Sequence, residues 1–498
     1  MKKIMLIIMV LLIITMPLFV SCGKTGGDKS KTEGDVSFSG DESFPYSGNF
    51  GGKTIKIFTI SSDRNAYGEL QFVSDEDSKA GAVNQAVNDR NNRIEEDYGL
   101  KIAVTSAKYP ADDVKTLIQG GVCEYDVVVD SVDKMVTSVT ENLYRSLDDI
   151  IDLGNKWWDN ASINSLTLND KHYFLAGDAL ITDDDNIYLT LFNKDMYNNN
   201  NQIKEDYGDI YKLVNDGKFT YDAFLQMSKS ASKADPEGKW TFDATYGNLS
   251  HAYGATIMVN GAGIALAEKL EDNIVRLNPG TEKAVTVFDK VYEIMSDKTI
   301  TQRAELIIGQ GSRPSTYGFS ELEEMFRNGR GLFYNTTSSS ISILKYSTEA
   351  IDFQFGVLPI PKFDEEQEHY YCAVNRYQSS VIGIPSSNVE NTEETAFLLE
   401  ALGYFSEDVT EAYYETTLKL QAIEDDDDAK MLDLIYNNRF YDIGAIYGWG
   451  GTNSIVGLYS NVIKNDSANT LISSWEAIKS AVEEDMNATI EEYQNNLN

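Results

Sequence analysis

Tyr125-Asp126-Val127-Val128-Val129-Asp130 sets three valines between two aspartates. A short apolar run of β-branched residues without alternation suits a strand covered on both faces. The residues before it repeat a pattern. Asp112 to Gln119 reads as a short helix and Leu100 to Thr105 as a strand. Gly81 to Tyr98 reads as a helix, with Val83, Val87 and Ile94 at helical spacing and Gly99 as the stop. Thr54 to Ile60 is an isoleucine-rich strand. A further helix is expected near Val132 to Thr140. This β-α-β-α-β-α order predicts an α/β fold with a largely parallel sheet. Ligands of such sheets sit beyond the carboxyl ends of the strands. Asp130, Ser131 and Asp133 fall at one such end.

The rest of the chain is too long for one ordinary core and implies two domains. Composition is globular, with 42% apolar and 11% aromatic residues. A net charge of −36 argues against nucleic acid and against an electrostatic grip on anionic lipid. Solubility outside the cell accounts for that charge, and so does a cationic ligand. The three histidines, His172, His251 and His369, form no metal-binding pattern, and no HExxH, Walker A or GxSxG phrase occurs. Gly261-Ala262-Gly263 opens like a dinucleotide loop, but Leu266 stands where the third glycine belongs. The chain therefore reads as a non-enzyme with no cofactor and no metal.

Five phrases, in order, carry a resemblance. Ala82 to Val87 leading to Ile94-Glu95-Glu96-Asp97-Tyr98-Gly99 is the first. Tyr188-Leu189-Thr190-Leu191-Phe192-Asn193-Lys194-Asp195 and Gly217-Lys218-Phe219-Thr220-Tyr221-Asp222-Ala223-Phe224 follow. Phe326 to Phe333 and Phe355-Gly356-Val357-Leu358-Pro359-Ile360-Pro361-Lys362 complete the set. From about residue 50 onward the chain resembles the extracellular solute-binding proteins of ABC importers, the family of the maltose- and oligosaccharide-binding proteins. The resemblance implies a two-lobed periplasmic-binding-protein-like α/β fold, with a ligand cleft and a hinge between the lobes. Lobe 1 is expected at 51–180 with 380–420, and lobe 2 at 181–379 with 421–498. Crossings are expected near Gly177 to Tyr188 and Tyr371 to Ile384. The implied role is capture of a small solute, an oligosaccharide above all, by a monomer that delivers it to ABC permease subunits. A surface sensor or adhesin of the same fold is the alternative, and an extracellular glycoside hydrolase a remoter one.

The amino terminus fits export. Lys2 and Lys3 precede an almost wholly apolar run, Ile4 to Val20, so residues 1–21 read as a signal peptide. The run is about the minimum for a membrane span, which leaves an uncleaved anchor open. Phe19-Val20-Ser21-Cys22 resembles a bacterial lipobox, with Phe19 at the usual leucine position. This implies lipidation of Cys22, palmitate among the acyl chains, and residence at the outer face of the cytoplasmic membrane. Residues 22–50 read as a flexible tether. Cys123 and Cys372 either pair outside the cell or stay as thiols.

A sugar cleft needs flat aromatic faces for C–H surfaces and polar groups for hydroxyls. Trp449 is the leading aromatic candidate. It lies in the glycine-rich loop Tyr447 to Asn453, and the family places a stacking aromatic in that late region. Plugging the loop against its own lobe is its other reading. Of the adjacent Trp157 and Trp158, one is expected inside and one outside. Trp240, between Asp235 and Asp243, lacks the alternating oxygens of a calcium loop. The resemblance aligns Asp185 or Asn186 with a cleft carboxylate. Asn375, Arg376 and Tyr377 interrupt an apolar strand at the second crossing. Arg376 there needs either a protein carboxylate or the ligand.

Overall fold

The computed structural model describes residues 43–75, 81–270, 274–346, 351–414, 426–465 and 467–495. Cys22 and the apolar run before it lie outside these. Tyr46–Asn498 forms one compact unit. Within the stretch expected as tether, Phe50 already packs on Phe397, with ring centroids 4.9 Å apart.

Along the chain come β1 (Lys53–Ile60), α1 (Gly81–Tyr98), β2 (Leu100–Ala107), α2 (Pro110–Gln119), β3 (Val127–Ser131), α3 (Val132–Val136) and α4 (Asn160–Leu166). Then follow β4 (Tyr188–Asn193), α5 (Tyr221–Ala231), β5 (Tyr246–Ser250), α6 (Gly254–Gly261), β6 (Thr301–Arg303), α7 (Phe319–Arg327), β7 (Gly331–Thr337) and β8 (Phe355–Leu358). The last are β9 (Ser380–Gly383), α8 (Thr392–Phe405), α9 (Asp426–Asn437), α10 (Ile443–Tyr447) and α11 (Leu471–Asn495).

Two sheets organise the fold. The first has the order β9-β3-β1-β2. β1 runs parallel to β2 and β3, and β9 antiparallel to β3. All five residues of β3 are buried, as its three valines require between layers of helices. α1 turns Val83, Val87 and Ile94 inward and ends at Gly99, whose φ is +66°. The helix expected over Val132 to Thr140 breaks after Val136. There Ser138 Oγ donates back to the Lys134 carbonyl at 2.9 Å, competing with the helix ladder. The second sheet has the order β8-β4-β7-β5-β6, with β5 parallel to β6 and β7, and β4 antiparallel to β7 and β8. The architecture is the two-lobed α/β fold that the resemblance implies.

Two segments connect the sheets and pair along their length. Leu175 bridges Ile382, the Thr182 and Ser380 hydroxyls meet, Asn375 N donates to the Asn186 carbonyl at 2.9 Å, and Ile187 bridges Val374. Gly177 starts the first segment with φ +139°, and a Cβ there would stand 2.3 Å from the Trp157 carbonyl oxygen. Only glycine fits that approach. Both Trp157 and Trp158 are buried, against the expectation of one in and one out. Each indole N–H donates to Glu400 Oε2, at 2.8 and 3.2 Å, which lets both rings turn inward. Cys123 is an exposed free thiol and Cys372 a buried one. No helix among the described residues is long and apolar enough to cross a membrane.

Candidate functional site

The parallel strands of the first sheet end beside the second crossing. Arg64, four residues beyond β1, holds that edge together. Its Nη1 donates to Asp130 Oδ1 at 2.7 Å and to the Lys108 carbonyl at 2.8 Å. Its Nη2 donates to Ser131 Oγ at 2.6 Å and to the Tyr377 carbonyl at 3.1 Å. The guanidinium lies 4.8 Å from the centroid of Tyr109.

This changes the expected roles of Asp130 and Ser131. Asp130 is fully enclosed, and its other oxygen accepts from Ala111 N at 3.0 Å. Burial pushes its carboxyl up, and the Ala111 amide and Arg64 oppose the shift. Ser131 is equally enclosed and donates to Asp133 Oδ1 at 2.6 Å. Both residues stand behind Arg64 and orient it, rather than presenting atoms to the cleft. Asp133 also donates its backbone N–H to the Arg376 carbonyl at 3.2 Å.

The second sheet brings its own carboxyl edge to the same crossing. Beyond β5, His251 and Tyr253 stack with ring centroids 6.0 Å apart. Tyr253 meets Tyr377 edge-on at 6.3 Å and lies 6.2 Å from Tyr188. In the other direction Phe319 sits 5.4 Å from His251, and Tyr317 lies 6.1 Å from Phe319. A lane of aromatic rings thus leads from the second crossing outward, and three of its members are open: Tyr377 at 42%, Phe319 at 49% and Tyr317 at 70% exposure. Burial lowers His251 to about 4, so its ring is a neutral member of the lane near pH 7.

Next to Tyr377, a cavity of about 20 Å³ is lined by Arg376, Tyr253, Asn260, Tyr441, Asp442, Val132 and Ser162, among others. The Arg376 guanidinium lies 5.1 Å from the Tyr377 ring centroid, and its enclosed Nε has no hydrogen-bond partner. Gly448, at φ +64°, passes so close that a Cβ would stand 2.7 Å from Arg376 Nη1. The glycine-rich loop therefore reaches the cleft through its backbone.

Its tryptophan faces the other way. Trp449 is 1% exposed, stacks on Tyr447 at 5.2 Å and donates to Thr489 Oγ1 at 3.0 Å. The expected ligand face is covered by Tyr447 and α11, so Trp449 fixes the loop to the carboxyl-terminal helix.

The acidic stretch of the first crossing is also built in. Arg439 takes Asp184 at 2.6 Å and Asp159 at 3.3 Å. That arginine occupies the acidic stretch, and Arg376 forms no ion pair with it among the described residues. Asp185 Oδ1 accepts the Tyr413 hydroxyl at 2.6 Å, and burial pushes its carboxyl up to about 7. Asn186 is buried, its carbonyl held by Asn375. Asn375 Oδ1 caps the next turn by accepting Tyr377 N at 3.0 Å. Asp235 is occupied by its own loop, accepting Lys239 N at 2.8 Å and the Thr241 hydroxyl at 2.8 Å.

Of the expected site residues, Arg376 and Tyr377 alone face the cavity and the lane. Arg64, Tyr109, Tyr188, Tyr253, His251, Tyr317 and Phe319 were not expected. The signal for several was positional: Arg64 and Tyr253 follow the last residues of β1 and β5, where the carboxyl-end rule places ligands.

No family profile and no curated protein matches the sequence. Solved structures do resemble the fold. An ABC substrate-binding protein from Listeria monocytogenes in complex with cycloalternan is 12% identical with a TM-score of 0.55, over 87% of this chain and 99% of that one. The maltose/maltodextrin-binding domain MalE from Bdellovibrio bacteriovorus, bound to maltotriose, is 14% identical with a TM-score of 0.53, over 87% and 100%. Apo RafE from Streptococcus pneumoniae is 15% identical with a TM-score of 0.52, over 87% and 98%.

Proposed function

We propose that this chain is the substrate-binding component of an ABC import system and captures an oligosaccharide between its two lobes. The observation that carries the reading is the aromatic lane at the shared carboxyl edge of the two sheets. Flat, half-open rings beside hydrogen-bonding groups suit a sugar, which offers C–H faces and hydroxyls together. The structural neighbours described as bound to cycloalternan and maltotriose support it. Tyr377, Tyr253 and Arg376 make the first contacts, and Phe319 and Tyr317 extend the platform. Asp130 and Ser131, through Arg64, and Asn186 and Asn375, through the turn at Tyr377, position these groups, while Asp185 holds Tyr413. Lobe 1 comprises 51–180 with 380–420, and lobe 2 the remainder to 498.

A cavity of about 20 Å³ holds little more than one water, whereas ligand sites are roughly 300–1,000 Å³. Binding therefore requires the lobes to part and re-close, and the closed state must bind the solute better than the open one. The chain acts as a monomer, held by lipidated Cys22 at the outer face of a bacterial cytoplasmic membrane. The motif Phe19 to Cys22 supports that anchor.

A thermal-shift screen against carbohydrate, amino-acid and polyamine panels tests the proposal. A solute at 100 times its Kd adds about 2.7 kcal/mol to the stability of the folded state. The expected result is a shift with one or more oligosaccharides. Shifts with amino acids or polyamines alone would overturn the saccharide reading.

A further inference from the structure

We infer that the solute carries a carboxylate and that Arg376 receives it, so that the ligand is an acidic, uronate-containing oligosaccharide. The inference rests on the saccharide reading above and narrows it.

A guanidinium has five N–H donors and no acceptor, and an enclosed one calls for oxygen partners. Other enclosed cations of this protein have them, and Arg303, whose Nε is also unpartnered, still donates through Nη1 to the Ile463 carbonyl at 2.7 Å. Arg64 holds Asp130 at 2.7 Å, Lys194 holds Asp428 at 2.7 Å and Arg439 holds Asp184 at 2.6 Å. Arg90 lacks a carboxylate but donates to Ser406 Oγ at 2.9 Å and the Gln71 carbonyl at 2.7 Å. Arg376 differs. Its side chain is only partly buried, but its Nε is enclosed and unpartnered, and among the described residues its guanidinium donates to no protein acceptor. This occurs in a chain with 78 acidic and 42 basic residues, where a carboxylate neighbour is the common case.

The carboxylate in the cavity lining, Asp442, is already engaged. It accepts from Leu266 N at 2.7 Å, Asn260 Nδ2 at 2.9 Å and Ala445 N at 3.1 Å. Asp442 therefore caps α10 and does not serve Arg376. The arginine is nonetheless held in place. The Tyr377 ring lies 5.1 Å from it on one side, and Gly448 leaves space for Nη1 on another.

A fixed planar fork beside an aromatic face matches a sugar ring that bears a carboxylate. The ring lies along Tyr377 and Tyr253, and its carboxylate meets the fork through paired charge-assisted bonds. A neutral sugar supplies hydroxyls but leaves the charge without a counter-ion.

Calorimetric titration of the soluble chain tests this. The probes are tri- and tetra-uronates of galacturonic, glucuronic and mannuronic acid, each paired with its carboxyl-reduced neutral counterpart. At least one uronate is expected to bind about 10- to 100-fold tighter than its neutral partner. Arg376→Gln should erase that difference, and Arg376→Lys should restore part of it. Added salt should weaken the uronate more than the neutral sugar. The melting temperature of free Arg376→Gln should stay near wild type, because no protein hydrogen bond is lost. Neutral sugars that bind as tightly, with Arg376→Gln weakening both members of a pair alike, would overturn the inference and leave the saccharide reading standing. A chain that binds no saccharide of either kind would overturn both.

Discussion

Asp130 and Tyr377 both lie at the carboxyl edge of the first sheet, and only one of them meets the cleft. Asp130 is enclosed beneath Arg64, while Tyr377 is 42% exposed beside Tyr253. Tyr377→Ala should therefore weaken binding of an identified saccharide by about 1–3 kcal/mol, the scale of an aromatic anchor. Its melting temperature should hardly change, which titration beside a melt will show. Asp185 carries a different expectation. Burial pushes its carboxyl up to about 7, above the unfolded value near 4. The folded state thus holds the proton more tightly, and stability is lost as pH rises from about 4 through 7. Asp185→Asn keeps an acceptor for Tyr413 without the charge. It should raise the melting temperature at pH 8, by the equivalent of about 1–4 kcal/mol, and leave it nearly unchanged at pH 5. A gain of equal size at both values would refute the buried-charge account. In the sequence, Arg376 and Tyr377 were legible because polar residues interrupt an apolar strand. Asp130 and Asp185 looked equally suitable, since sequence does not show which carboxylate a neighbouring side chain will cover.

The first five elements were legible because each repeats at its own period, and β1 to β3 pair with near neighbours in sequence. The pairing of β9 with β3 was not, because no local pattern reports a strand partner from so far along the chain. The loop Tyr447 to Asn453 shows a second limit. Three glycines near a tryptophan suggested an open loop, but the ring is covered by α11, which has its own apolar stripe of Trp475, Val482 and Met486. The loop and helix act as one unit through the Trp449 to Thr489 hydrogen bond. Trp449→Ala should consequently destabilise the protein by about 3–5 kcal/mol, as for large aromatics removed from a core. The fraction that remains folded should bind with unchanged affinity. Denaturant unfolding and titration of the same preparation check the two halves of this expectation. Full stability with lost affinity would return Trp449 to the site.

At the scale of the molecule, the two sheets are joined by crossings that pair with each other and by contacts on one further side. There, beyond α4, the Tyr447 hydroxyl donates to the Leu166 carbonyl at 2.8 Å, Asn169 Nδ2 donates to the Ile490 carbonyl at 2.8 Å, and Tyr173 meets Tyr493 at 5.3 Å. With the lobes bounded as proposed, all three contacts span the cleft. They flank a continuous buried apolar cluster that joins Val132, Met135 and Leu166 of lobe 1 to Ile443, Ile446 and Tyr447 of lobe 2, and opening exposes part of it. The crossings are stiffer, since Arg439 ties Asp184 to Asp159 and Gly177 admits no side chain. Motion is thus expected as a rigid rotation about the paired crossings. Small-angle X-ray scattering of the soluble chain, free and saturated with an identified saccharide, tests this most directly. The account predicts a free form with a larger radius of gyration than the saturated form, which should match the closed structure described here. Superimposable profiles at proven saturation would contradict it.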